Sequence, residues 1–285
     1  MSKKTLKEIL KALAFAAVYI AAKILSSNVG AKIANAVWQQ NGARYTQISL
    51  FSELITIAIV LLFARFVLKR KASDFWLGSK GAAAAGISGY AVGALLFGTY
   101  MLIAVITKTS TYAGRGELSL IDTLIFIPAF AVQSFEEELL SRGVLQRVIK
   151  DKWGIAPSII LPSIFFVIMH LINGGINFFA IVNIFTVGVL FSLMVYATDS
   201  LWHAAAAHAA WNYMQGTFFG KKVSGNQFGD SFLKFTQSGD NKLISGDKFG
   251  PEGSMAVFFI LALAAVTYYL LWRKKQRDSK LAEDN

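Results

Sequence analysis

Apolar runs close to twenty residues long recur from the first dozen residues to residue 272, separated by short polar breaks, and few folds tolerate that pattern. A stretch of about 18 or more apolar residues is the length that carries a helix through a bilayer. The runs fall at roughly 8–26, 48–68, 81–107, 119–146, 156–172, 177–197, 200–218 and 254–272. The expected fold is therefore all-α: a polytopic membrane protein, a bundle of about eight transmembrane helices, with residues 1–285 forming one integral membrane domain. With 55% of its residues hydrophobic and 16% charged, the chain departs from a soluble composition.

A net charge of +11 raises nucleic acid as a partner, but the basic residues lie in short blocks beside the apolar runs. Lys3, Lys4 and Lys7 precede the first run; Lys69, Arg70 and Lys71 follow the second; Arg147, Lys150 and Lys152 follow the fourth; Arg273, Lys274, Lys275 and Arg277 follow the eighth. All four blocks fall on one side of an eight-span topology, so they read as orientation signals and contacts to anionic lipid. The lipid bilayer is the expected partner, and nucleic acid is not. Both termini are expected in the cytoplasm, in the plasma membrane if the chain is bacterial. The basic, apolar start resembles a signal peptide, but Ala34 and Ala36, which mimic a cleavage site, lie well past the apolar run, which favours an uncleaved anchor. Absence of cysteine excludes a disulfide framework, a thiolate metal site and a cysteine nucleophile.

Three further features bear on packing. Gly30 to Asn41, with Ile33, Val37 and Trp38, is expected as a short amphipathic helix at the interface. Gly and Ala dominate 81–98 and 203–210, where missing bulk lets helices approach closely in lipid. The polar 216–253 segment is expected to cap the outer face, with no catalytic constellation of its own.

An ionisable side chain at the centre of a spanning helix costs about 2.5–3.5 kcal/mol, so each one calls for a function. Glu53 and Asp122 fall near span ends and read as interfacial charges. What remains is Glu136, Glu137, Glu138 and Arg142 in "QSFEEELLSRG", with the three histidines, His170, His203 and His208. Glu138 and Arg142 are four apart, a spacing and order suited to an ion pair on one helix face. Glu137 points about 100° away and is left free, as a desolvated carboxylate that makes a better base. Glu136 falls on another face again, with no role. His208 and Asn212 share a face as a pair of donors, whereas His203, beside Trp202, reads as an interface residue. Counted from the basic side, Glu137 lies ~15 Å deep, His170 ~20 Å and His208 ~11 Å, overlapping levels that predict one shared cavity opening to the cytoplasm.

The order EExxxR, FxxxH, HxxxN on successive spans resembles the CPBP family, the CAAX proteases and bacteriocin-processing enzymes also labelled Abi. The matching residues are Glu137, Glu138 and Arg142; Phe166 and His170; and His208 and Asn212, within residues 119–218, which are expected to form the catalytic helical core. The resemblance implies an intramembrane endopeptidase acting on a lipidated, prenylated or otherwise membrane-associated peptide or protein. It implies that Glu137 and His170 activate the attacking water, that His208 and Asn212 stabilise the oxyanion, and that Glu138 paired to Arg142 holds the site. No cofactor follows from the residues. The family's metalloprotease label raises zinc at Glu137, His170 and His208, and activation of water by a glutamate without metal fits the residues as well. A catalytically silent scaffold or bacteriocin self-immunity protein that kept the motifs, and a proton-coupled transporter, are the alternatives.

Overall fold

The structure is a computed structural model that describes residues 3–37, 42–238 and 241–283, with side chains from Ala14 onward. Eight helical segments run back and forth through a bundle, as the apolar runs predict: α1 (Lys3–Val37), α2 (Ala43–Phe66), α3 (Ala82–Ile106), α4 (Leu120–Glu138), α6 (Ile155–His170), α7 (Phe178–Thr198), α8 (Leu201–Tyr213) and α10 (Met255–Glu283). A short α5 (Gln146–Trp153) prolongs α4, and a one-turn α9 (Lys242–Ser245) lies in the last long connection. The chain is an all-α, polytopic integral membrane protein. Among the described residues five helices, α1, α2, α3, α7 and α10, are long and apolar enough to cross a membrane by length and composition alone. The other three are shorter or carry charge: α6 has 16 residues, α8 has 13, and α4 ends in three glutamates. These are the helices that bear the polar motifs.

α1 continues unbroken to Val37, so no separate interfacial helix begins at Gly30. Gly30 serves contact with α2 instead, since a Cβ there would meet Ser52 Oγ at 2.7 Å. Trp38 to Asn41, the remainder of that expected helix, lie outside the described residues.

At one end of the bundle three of the four basic blocks, those after α2, α4 and α10, come together. Arg70 pairs with Asp151 at 2.6 Å, Lys275 pairs with Asp199 at 2.5 Å, and Leu201 N–H donates to Trp76 O at 3.0 Å. The far end holds 107–119, 171–177 and 216–254. There β1 (Ser110–Arg115) pairs antiparallel with β2 (Leu233–Gln237), from Ser110 opposite Gln237 to Arg115 opposite Leu233, with an irregularity at Gly114. Tyr112 and Phe235 stack edge to face across this ribbon at 5.5 Å. The segment expected as a polar cap is thus folded onto the bundle.

α8 sits at the centre, between α3 and α4. Its alanines leave the backbone bare, and α3 meets it with glycines: a Cβ on Gly89 would lie 2.1 Å from His203 O, and one on Gly93 2.0 Å from Ala207 O. No side chain fits in either place. Two motif helices change pitch at their motifs, the first within it, since Arg142 lies in the altered stretch, and the second just after Asn212. α4 passes into a π-helical stretch, Leu139–Leu145, and α8 into another, Met214–Phe218. Such wider turns insert one residue and commonly mark functional sites.

Candidate active site

α4, α6 and α8 bring Glu137, His170, His208 and Asn212 to the wall of one cavity of about 270 Å³. α1 closes another side with Tyr19 and Lys23, and the cap contributes Ser224, Asn226 and Phe228. The depth count predicted a cavity opening at the basic end. The cavity instead lies against the far-end loops, because His170 is the last residue of α6 there and the 223–228 stretch folds over it.

Glu138 and Arg142 are fully buried and joined by an ion pair of 2.9 Å, as their spacing predicts. The guanidinium lies over the Phe166 ring at 4.6 Å and the Phe191 ring at 5.5 Å. A charge that cannot reach water is thereby held by a carboxylate and two ring faces. Glu138 Oε1 also accepts from His208 Nδ1 at 3.0 Å, and the His208 ring stacks on Phe191 at 5.1 Å. With Nδ1 committed to a carboxylate, His208 presents Nε2 to the cavity, 3.9 Å from Glu137 Oε2.

Glu137 differs from the desolvated carboxylate expected of it. Its side chain is 25% exposed, facing the cavity, and Oε1 accepts from Gln133 Nε2 at 2.5 Å. Gln133 Oε1 in turn accepts from Asn212 Nδ2 at 3.1 Å, so one amide ties the carboxylate of α4 to the amide of α8. Glu136 is the desolvated neighbour, at 2% exposure, and its partner is Lys23 of α1 at 3.3 Å. Lys23 also binds Glu53 at 2.7 Å, while Ser26 and Thr56 hydroxyls donate to the same carboxylate. Glu53 is therefore part of a partly buried ion cluster at mid-helix and not the interfacial charge its position suggested. Asp122 does sit at a helix start, paired with Arg44 at 2.5 Å and with the capping Ser119.

His170 Nδ1 lies 2.7 Å from Phe166 O. A carbonyl only accepts, so Nδ1 carries the proton and the neutral ring keeps its lone pair on Nε2. His203 belongs elsewhere. It is buried between Ser88 Oγ at 3.0 Å and Tyr268 OH at 2.6 Å, joining α8 to α3 and α10, and does not lie at an interface with lipid or water.

The resemblance raised zinc at Glu137, His170 and His208. Among the described residues no group of three or more His, Asp or Glu is gathered closely enough to hold an ion. Both site histidines have Nδ1 bound to protein acceptors, which leaves Nε2 as the ring nitrogen available to a ligand, and the Glu138 carboxylate is taken by Arg142 and His208.

Residues 119–214 match the family described as type II CAAX prenyl endopeptidase Rce1-like. This segment is similar to an Rce1-like domain. It spans α4 to the start of the second π-helical stretch and so contains every motif residue of the cavity. Tyr19, Lys23, Ser224 and Glu252, which wall the Rce1-like site from outside, lie beyond the matched residues. No curated protein and no solved structure matches the chain. Gln133, Lys23 and Glu252 escaped the sequence reading. Of these only Gln133 carried a signal, standing one helical turn before Glu137.

Proposed function

We propose that the chain is an intramembrane endopeptidase that hydrolyses a peptide bond in a lipidated or membrane-associated peptide, a prenylated CAAX-type C-terminus being the substrate class that the family description favours. The observation that carries it is the meeting of Glu137, His170, His208 and Asn212 on one cavity among membrane helices. A water between Glu137 and His170 gives its proton to Glu137 as its oxygen attacks the scissile carbonyl. His170, with Nδ1–H held by Phe166 O, offers Nε2 as acceptor for the water's second hydrogen. The oxyanion lies against Asn212 Nδ2, which has one hydrogen left after Gln133, and against His208 Nε2–H when the ring carries both protons. Collapse of the tetrahedral intermediate breaks the C–N bond, and Glu137 returns its proton to the leaving amine. The products are a carboxylic acid and an amine. Glu138 and Arg142 do not touch substrate; they hold His208 in place.

The test is cleavage of quenched fluorescent peptides, farnesylated and unmodified, by the full chain in detergent, beside Glu137→Ala, with and without chelator. Loss of cleavage in Glu137→Ala supports the reading. Equal cleavage by both proteins, or silence of both on every membrane peptide, sinks it and turns attention to a scaffold or immunity role.

A further inference from the structure

Behind the histidines lies a second, smaller chamber of about 30 Å³, walled by His170, His208, Asn212, Asn183, Ser224 and Glu252. His170, His208 and Asn212 line the main cavity as well, so they form the partition between the two spaces. At roughly 10–15 Å³ per water, the chamber has room for about two.

Glu252 comes from the cap, beyond the residues that match the Rce1-like family. Its Oε2 accepts from Ser224 N–H and from Gln215 Nε2 at 3.1 Å, and its Oε1 accepts from Ser224 Oγ at 3.3 Å. A carboxylate offers about four acceptor positions, so one, on Oε1, is left. Asn183 Oδ1, on the same chamber wall, is buried with no partner among the described residues. Its Nδ2 is spent on the backbone carbonyls of Glu252 and Ser254 at 2.8 and 2.7 Å. One acceptor without a donor and one with a position to spare, in a space the size of two waters, describe a hydration site. Burial pushes the Glu252 carboxyl above its usual range, and the hydrogen bonds from Ser224 and Gln215 act in the opposite sense.

Resting on the hydrolytic reading above, we propose that Glu252 is a positioning residue: by holding Ser224, whose carbonyl accepts from Asn173 just past the end of α6, it orients His170 from the side opposite Glu137. The cap then completes the site as well as covering it. Asn173, three residues after His170, donates to Ser224 O at 2.9 Å, and Gln215, three after Asn212, binds Glu252 directly. Two motif helices are thus fastened to the same carboxylate's surroundings.

The experiment uses the full chain in detergent with Glu252→Gln, which keeps size and one acceptor but removes the charge. The expected result is a kcat about tenfold lower, KM within twofold of wild type, an unchanged melting temperature, and a shifted ring-nitrogen NMR signal for His170. With only three histidines in the chain, selective labelling resolves them, and His203 serves as the unmoved control. A wild-type kcat with an unmoved His170 signal overturns the proposal, and so does a kcat loss that merely tracks a lower melting temperature. Asn173→Leu, which breaks the bond to Ser224 O and leaves Glu252 in place, should reproduce the loss; a wild-type rate in that variant also overturns it. If no peptide is cleaved by wild type, the hydrolytic reading fails, and the His170 signal still decides whether Glu252 orients the ring.

Discussion

Glu138 accepts a hydrogen bond from His208 at 3.0 Å although 70 residues separate them in the chain. The same oxygen binds Arg142, so one buried carboxylate neutralises a guanidinium and fixes an imidazole. Glu138→Gln should therefore cost stability as well as activity. Removing one partner of a buried ion pair is worth about 3–5 kcal/mol. Glu137→Gln, at the partly exposed cavity wall, should abolish cleavage with little loss of stability. Thermal unfolding of the two variants side by side separates them; equal melting temperatures would argue against the structural role of Glu138.

Gln133 bridges Glu137 and Asn212, and neither bond survives in Gln133→Leu. A fall in kcat of about ten- to a hundredfold is expected, consistent with loss of orientation in a site that acts by positioning. KM should stay near wild type. A pure KM effect in steady-state cleavage would place Gln133 in substrate binding.

Lys23 holds Glu53 and Glu136 together across α1, α2 and α4. Lys23→Met leaves two carboxylates facing each other, and Lys23→Met with Glu136→Gln relieves part of that. A double-mutant cycle by chemical or thermal unfolding should give a coupling of about 0.5–3 kcal/mol. Additive effects would show that the pair is incidental.

Gly93→Ala places a methyl group where Ala207 O already lies, 2.0 Å from the built Cβ. Helix α8 must move away from α3, carrying His208 and Asn212 with it. Overpacking of this kind costs about 1–3 kcal/mol, and cleavage should fall in step with melting temperature. Gly98→Ala, with open space around its Cβ, is the control that should behave as wild type.

Lys221, in the cap, donates to Ser110 Oγ at 2.7 Å, and burial pulls its ammonium down from 10.5 to about 8. Below pH about 8 the group is charged in both folded and unfolded states, and the folded state bears the desolvation cost. As pH rises from about 8 toward 10.5 the folded form sheds its proton first and that cost fades, so this residue favours stability at higher pH. Melting temperature measured from pH 7 to 10 should rise more in wild type than in Lys221→Met. Parallel curves would show that Lys221 titrates as an ordinary surface lysine.

Much of the bundle was legible because length and hydropathy decide which segments can be helices in lipid. The Glu138–Arg142 pair and the shared face of His208 and Asn212 followed from helical spacing alone. The interfacial helix at Gly30 was misread because a local dip in hydropathy does not break a helix whose small residues pack on α2. Glu53 was misread because span ends were counted from apolarity, while its partner Lys23 lies on a different helix. Glu252 could not be seen from its neighbours at all: the cap is polar throughout, and only tertiary closure brings this carboxylate behind His170. The side of the bundle at which the cavity lies was hidden for the same reason, since it depends on where the cap folds.

The two π-helical stretches, Leu139–Leu145 after the paired glutamates and Met214–Phe218 after Asn212, have a genetic corollary. Each stores one residue more than an α-helix of the same rise would hold. Deleting a single codon within either stretch would let the wide turn relax to ordinary pitch with the helix on both sides near its old phase, so the side chains inside the turn are the ones that change direction. The helix would persist and the membrane would still be crossed, but Arg142 would leave its place beside Glu138, and Gln215 its place beside Glu252. In-frame deletions there should therefore yield protein that inserts in the membrane yet has lost the contacts that brace its active groups.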